Sequence, residues 1–192
     1  EAKARSARET AQAMASEQAA EAPSEDDVQQ TLKLDDLRLD LGGALVPLIN
    51  RPDAALPGKI KSLRHLFARE YGFVLPSVRI KDDPSLASDS YAITVQGVAA
   101  ATSEIRATGM MVINPAEAGI ELPGQRTKDP TFGLEVVWVD QALADEAEAA
   151  GCTVVDPESV ITTHLTEIIK QHMPELLTYG AVQELIEGLP RP

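Results

Sequence analysis

The run from Asp156 to Met173 narrows the fold more than any other stretch. Asp156 can accept the free amide hydrogens of a helix start, and Pro157 fits the first helical position. Val160, Ile161, Leu165, Ile168, Ile169 and Met173 then recur at helical spacing, and Pro174 is expected to close the helix. An apolar stripe this wide has to be buried against other elements.

Several short runs offer it a sheet. Leu37, Leu39 and Leu41 alternate with polar residues at the period of a half-buried strand, which Gly42-Gly43 ends. Val78 and Ile80 alternate after a helix expected over Lys59 to Gly72, whose apolar positions are Ile60, Leu63, Phe67 and Tyr71. Tyr91 to Gln96 alternates again, and Gly97 suggests a bend into a strand from Val98 to Ile105. Met110 to Ile113 and Leu134 to Val139 read as buried strands, with a long Gly/Pro-rich loop over 116–133 between them. Asp140 can cap a helix ended by Gly151, and Cys152 to Val155 is a further strand.

The order of elements predicts an α/β (α+β) fold of small mixed-sheet subdomains with packed helices. We expect one body over 35–107 joined by the helix of 157–176, and a second over 108–156. Residues 1–34 read as a helical or disordered charged linker without an apolar stripe. Residues 177–192 read as the truncated start of a third subdomain, so the chain has the look of a piece of a longer protein. Three Phe, three Tyr and Trp138 are all the aromatics present, so the core should be aliphatic.

The net charge of −13 comes from 30 acidic and 17 basic residues with no basic cluster, a surface that repels phosphate backbones and excludes nucleic acid as a partner. No run approaches the about 20 apolar residues of a membrane span. The single Cys152 excludes an internal disulfide and a cysteine zinc site, and fits a reducing compartment.

No catalytic pattern emerges. His164 and Glu167 lie three apart on one helix, a spacing that metal sites use, yet no second pair completes a ligand set. A helix-face histidine making one hydrogen bond is the plainer reading, and a metal-dependent enzyme domain built on His164, Glu167 and the 116–133 loop is the alternative. Gly42-Gly43 lacks the further glycines of a phosphate loop, and Cys152 reads as a buried strand thiol. We expect no cofactor, no metal and no enzyme.

Lys128-Asp129-Pro130-Thr131-Phe132-Gly133-Leu134 differs in kind. Pro130 forces an extended Asp129, and Gly133 permits a sharp entry into the next strand, so Phe132 is held between two stiff points. Spacing alone leaves two readings open. Phe132 fills the core beneath a loop while Asp129 caps a turn, or Phe132 is an aromatic floor with an acidic rim that suits an apolar partner helix.

At these residues the chain resembles the cytoplasmic domain of the FlhA/InvA/LcrD family of type III export gates, in its flagellar branch. The carrying motifs are Leu39-Asp40-Leu41-Gly42 with Leu45 to Ile49, Glu70 to Ile80, Asp129-Pro130-Thr131-Phe132-Gly133-Leu134, Gly151 to Pro157, Thr163-His164-Leu165 and Glu175-Leu176-Leu177. They occur in the family's order between Asp35 and Leu189. Gly43, where many members carry tyrosine, and Thr131, often alanine, are departures.

The resemblance implies a docking platform for protein export on the cytoplasmic face of the bacterial inner membrane, in a multi-pass protein whose cytoplasmic domains form a nonameric ring. Flagellar export chaperones with their cargo would dock in an apolar cleft between the first two subdomains. Other expected partners are the export switch protein and the ATPase complex. Asp129, Phe132 and Thr163 match the family's chaperone-contact positions, and Pro115, Leu134, Val155 and Val160 are expected to line the pocket. A virulence export gate is the nearest alternative, and a structural spacer that binds nothing is a third.

Overall fold

Alternating strand and helix signals in the sequence become two four-stranded sheets and five helices in a computed structural model, which describes residues 35–72, 74–113 and 119–176. The first part contains β1 (Leu37–Leu41), a 3-10 turn (Gly43–Leu45), α1 (Pro47–Asn50), α2 (Leu56–Tyr71), β2 (Val78–Asp82), β3 (Ser90–Val95) and β4 (Val98–Glu104). β5 (Met110–Ile113), β6 (Gln125–Lys128), β7 (Glu135–Val139), α3 (Gln141–Ala149), β8 (Thr153–Val155), α4 (Pro157–Gln171) and α5 (Met173–Leu176) follow. The expected linker over 1–34 and the expected third subdomain over 177–192 lie outside the described residues.

The first sheet runs β2-β1-β3-β4 and the second β6-β7-β5-β8. β1 and β2 are parallel, joined through α2 as a crossover needs, and every other pairing is antiparallel. Gln96 and Gly97 both adopt positive φ (49° and 78°) between the paired Val95 and Val98, the two-residue turn whose twist matches a hairpin.

Helix boundaries follow local chemistry. The Asp156 carboxylate accepts the Ser159 amide at 2.8 Å, and Asp140 accepts that of Leu143 at 2.9 Å. Gly72 ends α2 in the left-handed region. Two boundaries depart from expectation. α2 starts at Leu56, because Pro57 is welcome in a first turn. α4 stops at Gln171, and Pro174 lies inside the short α5 instead of marking an abrupt end.

The stripe on α4 goes where its width demands. Val160, Ile161, Leu165, Ile168 and Ile169 are buried in one cluster with Leu37, Leu39 and Leu41 of β1, Ile93 of β3 and Leu63 and Phe67 of α2. Met111, Val136 and Trp138 of the second sheet join that cluster. The alternate residues Val112, Val137 and Val139 face the other way, into a smaller cluster with Ala144 and Ala147 of α3. Both faces of the second sheet are therefore covered, which explains unbroken apolar runs at β5 and β7 where a half-buried strand would alternate.

Two sequence expectations need correction. The 116–133 segment is not one loop: β6 pairs with β7 from Gln125↔Trp138 to Lys128↔Glu135. Gln-Arg-Thr-Lys carries no hydrophobic alternation because an edge strand with all four side chains exposed needs none. β1 is not half-buried, since it lies inside the sheet and even Asp40 is buried, accepting from Arg38 Nε at 2.8 Å.

Candidate functional site

The six residues 129–134 connect β6 to β7 and form a self-contained knot of hydrogen bonds. Pro130 keeps Asp129 extended, so its carboxylate folds back over the next two residues. Oδ2 accepts the amides of Thr131 at 3.1 Å and Phe132 at 2.6 Å. The Asp129 amide donates to the Leu134 carbonyl at 2.8 Å, and the Gly133 amide donates to the Asp129 carbonyl at 3.0 Å. Gly133 sits at φ 69°, a conformation that a side chain would strain.

This knot sets what faces the solvent. Phe132 is 64% exposed and Leu134 39%, whereas Asp129 is only 7% exposed. Phe132 is therefore not core filler. Asp129 builds the turn and does not present an acidic rim, because its lone pairs are drawn inward by the two amides. The Thr131 hydroxyl is buried and finds no partner among the described residues.

The remaining expected site residues separate. Val160 is 2% exposed and belongs to the main core, so it lines no open pocket; it shares a helix face with Ile161 and Leu165 and is covered with them. Val155 is half-buried against the same cluster. Thr163 is exposed and lines a groove of about 700 Å³ between α2 and α4, with Gly58, Ser62, Leu66 and Thr166 among its walls. Lys59 closes one end of that groove, donating to the Asp156 carboxylate at 2.9 and 3.1 Å and to the Ser159 hydroxyl. Pro115 lies outside the described residues.

A buried polar pair that the sequence did not single out joins β3 to α4. The Tyr91 hydroxyl and His164 Nδ1 are 2.7 Å apart, and the two rings meet edge-on at 5.8 Å between centroids. Burial pushes the Tyr91 phenol well above its ordinary range, and the Asp129 carboxylate adds to that. Burial lowers the His164 imidazole below its ordinary value, while the same Asp129 charge opposes the shift. Nothing local marks this pair, because its members stand 73 residues apart.

His164 and Glu167 do not converge. His164 is committed to Tyr91, and Glu167 accepts from Lys170 at 2.8 Å. Among the described residues no group of three or more His, Cys, Asp or Glu side chains could hold a metal ion. The amides of Gly42 and Ala44 donate to the Ser90 and Ser88 carbonyls, so those two donors are already engaged within the fold.

The buried groups fix the expected response to acid. His164 has a folded pKa below 6.5, so its stabilising neutral form is fully present above pH 6.5 and is lost as pH falls through the folded value. Asp156, partly desolvated but held low by Lys59 and Ser159, has a folded value below 3.8, so its contribution is present above 3.8 and disappears as pH falls through that lower value. Thermal melts should therefore give a melting temperature that declines below about pH 6.5. His164→Asn should flatten the upper part of that decline.

Comparison with known proteins adds the following. The model of the FHIPEP family matches residues 1–191, a span that takes in the first 34 residues as well. The flagellar biosynthesis protein FlhA of Caulobacter vibrioides is 43% identical over 169 residues, which cover 88% of this chain and 24% of that protein. The chain thus spans about a quarter of the length of the curated relatives it matches. The solved Chlamydia pneumoniae CdsV protein superimposes with a TM-score of 0.67 at 24% identity, covering 80% of this chain and 46% of that one. The nonameric EscV cytosolic domain of a type III secretion system gives 0.52 at 14% identity, over 81% of this chain and 45% of that one.

Proposed function

The chain belongs to the FHIPEP family, and from that premise we propose that it forms part of the docking platform of a flagellar type III protein export gate. In this reading an export chaperone with its cargo lays an apolar helix on Phe132 and Leu134, at a cleft between a subdomain of the first sheet with α4 and a subdomain of 108–156. Thr163, in the groove between α2 and α4, supplies a separate polar contact, and Asp129 contributes by shaping the turn.

One observation carries this. An aromatic ring that is 64% exposed sits on a turn whose backbone is closed by four hydrogen bonds. A flexible loop would lose backbone freedom on binding; this one is already closed, so only the side chain of Phe132 has to be ordered, which suits an interface anchor. The flagellar assignment follows from the name of the 43% identical relative, since likeness to the secretion structures speaks to the fold alone.

The longer protein would act at the cytoplasmic face of the inner membrane, and no helix among the described residues is long and apolar enough to cross one. It would assemble into a nonameric ring, as the EscV domain does, and would work with the export switch protein and the ATPase complex. The relative is named for flagellar biosynthesis and not for a reaction, and we read the chain as non-catalytic.

Phe132→Ala should reduce affinity for a chaperone–cargo complex at least about tenfold, near 1.4 kcal/mol, with the melting temperature nearly unchanged. Titration calorimetry on the folded variant is the measurement. Undiminished affinity would remove Phe132 from the interface and the proposal with it.

A further inference from the structure

We infer that the outer edge of β6 is a second docking surface, which takes an extended acidic segment of the docking partner as an added strand. The inference rests on the docking role read for Phe132 and adds the chemistry of the segment that flanks the docked helix.

β6 (Gln125–Lys128) is the last strand of its sheet, paired with β7 on one side and with nothing among the described residues on the other. The turn fixes the phase of its hydrogen bonds. One step beyond the Lys128↔Glu135 pair, the Asp129 amide donates to the Leu134 carbonyl at 2.8 Å, which makes that pair a hydrogen-bonded one. Such pairs alternate along an antiparallel ladder. Thr127 and Gln125 therefore bond inward to β7, whereas Arg126 and Lys128 turn their N–H and C=O groups to the open edge. These backbone groups are the template that strand addition uses. The edge ends at the turn that carries the exposed Phe132, so one partner can engage both.

The side chains select the strand. Arg126 and Lys128 stand two positions apart on one face, and all four residues of β6 are exposed. Neither takes part in an ion pair among the described residues, in a chain whose net charge is −13. Glu135 lies across from Lys128 on the same face, which leaves Arg126, opposite Val137, the less compensated cation. Cations on an edge deter apolar strands from adding. They favour a strand whose carboxylates come to lie opposite them, because unlike charges on paired strands attract and like charges repel. The fitting segment carries Asp or Glu at two positions, two residues apart, with a β-branched residue between them.

The test is nitrogen-15 NMR of the full chain with an excess of either of two end-blocked peptides, Thr-Glu-Val-Glu-Val-Thr and Thr-Lys-Val-Lys-Val-Thr. The acidic peptide should slow hydrogen exchange at the Arg126 and Lys128 amides at least about threefold, with no change at Thr127, which already bonds to β7. The basic peptide should protect neither. Arg126→Pro removes one outward amide without breaking a ladder bond, and should abolish the protection of Lys128. Arg126→Gln with Lys128→Gln keeps the backbone and should weaken the acidic peptide at least about threefold; it serves as the second variant should Arg126→Pro misfold. Equal protection by both peptides, or protection of neither outward amide by the acidic one, would overturn the inference. Protection present in the chain alone and rising with its concentration would give the edge to a second copy, and would overturn it as well. Chaperone–cargo affinity is then measured for the double variant, with a loss of at least about threefold expected. If Phe132→Ala weakens docking and the double variant does not, the edge falls while the docking role of Phe132 stands. If only the double variant weakens it, Phe132 falls and the edge stands.

Discussion

Gly42→Ala is expected to lower stability by about 4 kcal/mol, beyond the about 1–3 kcal/mol usual for overpacking and large against the about 5–15 kcal/mol total of a domain. The cause is space, since Gly42 has an ordinary φ of −67°. A Cβ there would lie 2.1 Å from the Ala87 carbonyl oxygen, 2.7 Å from that of Ser88 and 2.9 Å from that of Ser90. All three are backbone atoms, and no rotamer change relieves them. Backing away would break the Gly42 amide's bond to Ser90 at 2.8 Å and Ala44's to Ser88 at 3.0 Å. Gly43 is the internal control, with only the Ser88 hydroxyl at 3.9 Å, so Gly43→Ala should change stability by no more than about 0.5 kcal/mol. Urea unfolding of the two variants side by side measures the difference. Equal midpoints would mean that the 87–90 segment moves freely.

Ile161→Ala should cost about 3 kcal/mol. Ile161 is fully buried where α4 meets the first sheet, and its cluster draws on β1, β3, α2 and β7 at once. No single neighbour can collapse into the space left behind, so the cavity penalty adds to the lost transfer energy. Two positions along the same helix Thr163 is exposed, and Thr163→Ala should leave the unfolding midpoint within about 0.5 kcal/mol of the parent. A loss below 1 kcal/mol at Ile161 would show that α4 is not the keystone of the core.

Much of the fold was legible because the signals were local. The Asp156-Pro157 start of α4, the Asp140 cap of α3 and the Gly72 stop of α2 are short-range hydrogen-bonding and steric choices, and each is found where its residues stand. The candidate site was legible only in outline. Pro130 and Gly133 foretold a stiff turn, but whether Phe132 faced inward or outward could not follow from spacing. That depended on Asp129 taking two amides for itself, and on a paired strand β6 existing where polarity suggested a loop.

By itself the sequence determined the repertoire of helices and strands, the aliphatic core and the acidic surface, since caps, periodicity and charge are properties of neighbouring residues. Tertiary structure alone decided that Asp40 and Asp129 are buried, that Gly42 has no room for a side chain, and that His164 meets Tyr91. Those outcomes depend on groups from distant strands arriving at one place. No local pattern records them, because burial and close approach belong to pairs of elements and not to either one.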